Sequence, residues 1–137
     1  FAPNQPCTRA QIVTFLWRAA GSPVVNYLMP FTDVDEGAYY AGAVRWAAST
    51  GIVTGLTETT FGTDSVCTRA QAAAIAYRAA GAPTVSGDGF ADADAAGYYA
   101  QPALWAKQIG AVSGSSFQPD SACSKAQLDA LIGAIAA

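Results

Sequence analysis

Cys7-Thr8-Arg9-Ala10-Gln11 returns as Cys67-Thr68-Arg69-Ala70-Gln71, and again in altered form as Cys123-Ser124-Lys125-Ala126-Gln127. Positions 7, 67 and 123 set intervals of 60 and 56 residues. A period of that size marks stacked supersecondary units rather than one irregular domain. Other landmarks keep the same step. Phe1, Phe61 and Phe117 each stand six residues before the cysteine, and Trp17-Arg18-Ala19-Ala20-Gly21 matches Tyr77-Arg78-Ala79-Ala80-Gly81. Pro23 matches Pro83. Phe31, Asp33, Tyr39, Tyr40, Trp46, Ala47, Gly51, Val53 and Gly55 correspond to Phe90, Asp92, Tyr98, Tyr99, Trp105, Ala106, Gly110, Val112 and Gly114.

The spacing divides the chain into two complete units, 31–81 and 90–137, and the latter half of a third, 1–21. Because it opens inside a unit, the chain is expected to be a mature or trimmed fragment. Residues 22–30 and 82–89, rich in Pro, Gly, Ser and Val, read as extended connections.

Each unit reads as helix, loop, helix. The first helices are expected at 37–50 and 96–109, with Tyr40, Val44 and Ala47 on one face and Tyr39, Ala43 and Trp46 widening it. Asp33 or Asp35 would cap the start, and Gly51 and Gly110 stand where a left-handed C-terminal cap is expected. The glycine-bounded loops 51–55 and 110–114 suggest tight, partly buried turns. The second helices start at Thr8, Thr68 and Ser124. Each hydroxyl residue is followed three positions on by Gln11, Gln71 or Gln127, the reciprocal capping-box pattern. The fold class is therefore all-α, built of tandem helix-loop-helix repeats.

Composition excludes several functions. With no histidine, Ser-His-Asp and Cys-His catalysis and the commonest zinc ligand are absent. Seven Lys and Arg against ten Asp and Glu leave a net charge of −3, so there is no basic stripe for nucleic acid. No apolar run approaches the roughly 20 residues that span a bilayer. The three cysteines occupy equivalent repeat positions rather than a C-x-x-C pair, which favours buried apolar roles over metal binding. Asp33, Asp35, Glu36, Asp92 and Asp94 fall at expected helix starts, where capping explains them better than glycoside hydrolysis. Trp46 and Trp105 are expected to pack the core of each unit. No catalytic residue, metal or cofactor is expected.

The combination Phe31-x-Asp33-Val34, Trp46-Ala47, Gly51-Ile52-Val53-Thr54-Gly55, Phe61 and Thr68-Arg69-Ala70-Gln71 resembles the S-layer homology repeat. Phe90-x-Asp92, Trp105-Ala106, Gly110, Gly114, Phe117-x-Pro119 and Ser124-Lys125-Ala126-Gln127 give a second match, and Phe1-x-Pro3 with Thr8-Arg9-Ala10-Gln11 a partial third. The resemblance implies a pseudo-threefold helical domain. It also implies non-catalytic binding of a secondary cell-wall polysaccharide, often pyruvylated, on the extracellular face of a bacterium. By motif match Arg9, Arg69 and Lys125 would contact an anionic sugar, aided by the amides at each helix start. Gly55 and Gly114 would let the sugar approach the backbone. Gln stands where the family carries Glu, and Cys where it carries a branched aliphatic residue. The alternative reading is a self-assembling surface-layer or filament subunit, in which Ile12, Phe15, Leu16 and Trp17 of the incomplete first unit are covered by a neighbouring chain.

Overall fold

The computed structural model describes residues 6–87, 90, 98–112 and 116–136, with side chains described as far as Gly133. It contains α1 (Arg9–Ala19), α2 (Ala41–Thr50), α3 (Arg69–Ala79), α4 (Ala100–Gln108) and α5 (Lys125–Ala136). Among the described residues there is no strand, and isolated bridges include Pro6–Ser124 and Thr68–Ala122. The all-α expectation holds. The chain forms two compact units, residues 8–65 and residues 1–7 with 66–137.

In the 8–65 unit α1 packs on α2. Ala10, Ile12, Val13 and Leu16 give α1 a buried face at helical spacing, and Ala41, Ala43, Val44 and Ala47 do the same for α2. Gly42 lets the helices close, because a Cβ there would stand 3.1 Å from the Trp17 ring. Of the residues that the assembly reading left for a neighbouring molecule, Ile12 and Leu16 are buried within the chain, while Phe15 and Trp17 are half-buried.

In the other unit α3 packs on α4 and α5. Its buried residues are Ala70, Ala72, Ala73, Ala74, Ile75 and Ala76, small enough to bring helix axes close. One core cluster joins Ala70, Ala73, Phe90, Ala103 and Phe117. Another joins Ala76, Trp105, Ala106 and Leu131. Pro102 sits in the first turn of α4, where its missing N–H removes no internal helix bond.

α2 begins four residues later than its expected start at 37. Residues before it form tight turns, with Ala38 N–H donating to Asp35 O and Ala41 N–H to Ala38 O. Asp35 accepts from Gly37 N–H at 3.0 Å, closing a local turn instead of capping the helix. Tyr40 is the N-cap and makes no side-chain cap bond. α4 starts at Ala100 after a turn at Tyr98 and Tyr99, and the expected start at 96 lies outside the described residues. Tyr39, placed on the core face by periodicity, is exposed because it lies in the turn before α2. Trp105 is buried, whereas Trp46 is only half-buried.

The ends of α1 and α3 are alike. Gly21 and Ser22 have φ of 92° and 52°, and Gly81 and Ala82 have 93° and 50°. Trp17 Nε1 donates to Pro23 O at 2.8 Å. Tyr77 Oη donates to Pro83 O at 2.6 Å. Two different side chains pin the same outgoing connection. Gly51 takes the left-handed cap conformation after α2 with φ 78°, and Gly110 does so one residue past Ile109, the C-cap of α4, with φ 80°.

Candidate functional site

The recurring pentapeptide makes the same helix start each time. Thr8 Oγ1 accepts from Gln11 N–H at 3.2 Å while Gln11 Oε1 accepts from Thr8 N–H at 3.0 Å. The Thr68–Gln71 pair repeats this at 3.1 and 3.0 Å. Ser124 and Gln127 repeat it at 3.2 and 3.1 Å. The remaining amides of the first turn are also occupied. Arg9 and Ala10 N–H donate to Ser65 O and Thr63 O, while Arg69 and Ala70 N–H donate to Ser121 O and Pro119 O. An incoming anion would therefore find the first amides of α1 and α3 already bonded to loop carbonyls. The family resemblance had offered those amides to the ligand.

Arg9 is only 7% exposed. Its Nε donates to Phe61 O at 2.9 Å and Nη2 to Thr54 O at 2.6 Å. The guanidinium carbon lies 4.9 Å from the centroid of the Phe61 ring. Asp33 holds the same residue from the other side. Its carboxylate accepts from Phe61 N–H at 2.8 Å and from Gly62 N–H at 2.7 Å. Partial burial pushes the Asp33 pKa up, but bonds from the amides of Phe61, Gly62, Asp33 itself and Thr63 outweigh it and hold the carboxyl below its ordinary value. The expected helix cap is instead a loop clasp.

Arg69 makes the related contact in the other unit. Nε donates to Phe117 O at 2.7 Å, and the guanidinium carbon is 5.7 Å from the Phe117 ring centroid. Its side chain is half-buried, and no carboxylate pairs with it among the described residues. Lys125 begins α5, also half-buried and with no carboxylate partner among the described residues. Gly114 lies outside the described residues.

The loop fixed by Arg9 forms one wall of an open cleft of about 430 Å³, lined by Tyr27, Phe31, Thr54, Gly55, Leu56 and Glu58 among others. That volume lies within the size range of small-ligand sites. The space around Arg69, Phe117, Gln127 and Leu131 is about 10 Å³, close to the room for a single water. Gly55 has a structural duty beside its place on the cleft. A Cβ there would lie 2.4 Å from Thr57 O and 2.5 Å from Phe31 Cε1. The loop itself, before any ligand, demands glycine.

Several participants are not evident from sequence. Asp33 and Phe61 recur as landmarks, yet joining Asp33 to Phe61 and Phe61 to Arg9 requires contact across 28 and 52 residues. Tyr27 and Leu56 belong to neither the pentapeptide nor the recurring aromatic positions, and only their shared cleft singles them out.

Comparison with known proteins bears on this arrangement. The family model described as the S-layer homology domain matches residues 30–73, from the Phe31 loop through α2 to the first residues of α3. An amylopullulanase of Thermoanaerobacterium thermosulfurigenes is 34% identical over 79 residues, which is 58% of this chain and 4% of that protein. The chain thus spans a small fraction of that relative's length. Residues 30–73 therefore match the S-layer homology domain, and the residues that recur on either side resemble the matched segment.

Proposed function

We propose that this chain is a non-catalytic module that anchors a protein to the bacterial cell wall by binding a secondary cell-wall polysaccharide. The observation that carries this reading is the cleft of about 430 Å³ whose Thr54–Gly55 wall is tied down by Arg9. Tyr27 and Leu56 offer apolar surface to sugar-ring faces, while Thr54, Thr57 and Glu58 offer hydrogen-bonding groups to hydroxyls. Within this proposal Arg9 holds the cleft wall and does not touch the polymer, as its burial favours. Arg69 and Lys125 are the proposed contacts for a carboxylate such as a pyruvate ketal, since both are cationic and partly exposed. Gly55 belongs to the proposed contact surface as a cleft-lining residue, and Gly114 is carried by motif alone. The placement is proposed to be extracellular, at the cell surface. No described helix is long and apolar enough to cross a membrane.

The pseudo-threefold arrangement of repeats is part of the same proposal. It is supported by a closed cycle of backbone bonds among the three matched cysteines, from Cys7 to Cys123, Cys123 to Cys67 and Cys67 to Cys7.

Sedimentation with purified cell walls tests the function. Binding should be strong to walls carrying their secondary polymer and lost on walls stripped of it. Tyr27→Ala should weaken binding about tenfold, the loss expected if about 1.4 kcal/mol of stacking disappears. Equal binding to intact and stripped walls would remove the anchoring reading. Full affinity in the Arg69→Ala, Lys125→Ala double variant would remove the proposed acid contacts alone.

A further inference from the structure

Cys7, Cys67 and Cys123 are all buried, each at most 1% exposed, and none forms a disulfide in the structure. They are not scattered. Cys7 N–H donates to Cys123 O at 3.0 Å, Cys123 N–H to Cys67 O at 2.9 Å, and Cys67 N–H to Cys7 O at 2.9 Å. Opposed strand residues that exchange hydrogen bonds have Cα atoms about 5.5 Å apart, and a single N–H···O=C bond sets a separation of roughly the same order. Because the bonds close a cycle, every pair among the three cysteines meets that spacing. It falls inside the roughly 4.4–6.8 Å that separates the Cα atoms of disulfide-linked cysteines. Among the described residues no group of three His, Cys, Asp or Glu is arranged to hold a metal ion. Each cysteine also immediately precedes a helix cap, at Thr8, Thr68 and Ser124. A cross-link would therefore staple two helix starts together.

We infer that the three cysteines form a modification site that takes one intramolecular disulfide between any two of them and leaves the third as a thiol. The co-reactant is a low-molecular-weight disulfide. A protein thiolate attacks one sulfur of the co-reactant, forming a mixed disulfide and expelling one small thiolate. A second protein thiolate attacks the protein sulfur of that mixed disulfide and expels the other small thiolate. Two protein S–H protons are released and taken up by the two leaving thiolates. The cysteine pair is oxidised and the small disulfide is reduced to two thiols.

The folded state resists the first step. Burial raises the Cys7 thiol, with Lys125 partly offsetting the effect. Burial, followed by the nearness of Cys7 and Cys67, pushes Cys123 up to about 12. The reactive thiolate is therefore scarce in the native core, although Lys125 beside Cys7 and Arg69 beside Cys123 each offset part of the effect. Oxidation is fast only when the chain opens, and refolding then brings the selected pair together.

The chain should be unfolded in urea and refolded in oxidised and reduced glutathione, then assayed for thiols, mass and non-reducing mobility. The expected product is a monomer with one remaining thiol, about 2 Da lighter and free of glutathione. The same reagent added to the native chain should act at least about a hundredfold more slowly. Cys7→Ser, Cys67→Ser and Cys123→Ser should each still lose both remaining thiols, since every pair is within reach. Helical circular dichroism confirms that each variant is folded. A refolded wild-type chain that keeps three thiols, carries glutathione adducts, or cross-links between molecules would overturn the inference. Failure of a folded single variant to form a disulfide would overturn the equivalence of the pairs.

Discussion

The same residues, Thr-Arg-Ala-Gln after a cysteine, make two different sites. At α1 the arginine is sealed in and bonded to two carbonyls, beside an open cleft of about 430 Å³. At α3 the matching arginine is half-buried, bonded to the Phe117 carbonyl, and next to about 10 Å³ of space. The helix caps do not differ, nor do the amide-to-loop bonds at 2.7–3.2 Å. What differs is where the guanidinium ends and how much of it meets solvent. A repeated motif therefore conserves the helix start while its long side chain is free to be structural in one place and accessible in another.

The largest expected effect breaks the first half of this comparison. Arg9→Ala should destabilise the 8–65 unit by about 3–5 kcal/mol, because the buried Phe61 carbonyl and the part-buried Thr54 carbonyl lose charge-assisted bonds and the Phe61 ring loses its cation. Urea unfolding followed by tryptophan fluorescence, with Trp17 and Trp46 in this unit, reads the loss. A cost under about 1 kcal/mol would mean that Arg9 is dispensable to the fold and better regarded as a ligand residue.

Gly55→Ala comes next, at about 2–4 kcal/mol. The added methyl meets two backbone oxygens, at Thr57 and Thr60, which cannot swing aside like a side-chain tip. Wall binding should fall with it. A variant that keeps its stability yet loses binding would instead place Gly55 in direct contact with the polymer.

The repeat itself was legible in sequence because helix starts are local. Thr8 and Gln11 are three residues apart, and a capping box needs nothing else. Gly51 and Gly110 were legible for the same reason, since a left-handed residue after a helix favours glycine. Asp33 was not, because a carboxylate ahead of a helix serves equally well as a cap or as a clasp for a distant loop. Only the fold brings Phe61 and Gly62 amides to it. Arg9 and Arg69 looked alike because sequence shows the charge and not the burial. The cysteines read as apolar core, which they are, but their mutual backbone cycle joins residues 56, 60 and 116 apart in the chain.

Arg69→Ala should cost about 1–2 kcal/mol, clearly less than Arg9→Ala, since one bond to Phe117 O is lost at a partly solvated position. Parity between the two variants in unfolding experiments would erase the distinction drawn here.

Asp33→Asn should cost about 1 kcal/mol at neutral pH, discounted for an exposed carboxylate, because the amide retains only one good acceptor for two N–H groups. Since the Asp33 pKa is lowered in the folded state, its contribution is fully present above the unfolded value of about 4 and is lost as pH falls through the folded one. Wild type should thus lose stability in acid where the Asn variant does not. Parallel acid melting curves would show that Asp33 does not clasp the loop.

The smallest difference is the most discriminating. Thr8→Ala and Thr68→Ala each remove one side of a capping box whose two bonds match within 0.1 Å between the helices. Each should cost about 1 kcal/mol, and the two costs should agree within a few tenths. Equal cap penalties alongside unequal arginine penalties would locate the divergence of the two sites in the guanidinium and its surroundings. Unequal cap penalties would instead trace it to the helix starts themselves, and the arginine comparison would then reflect how firmly each helix is nucleated rather than what each arginine holds.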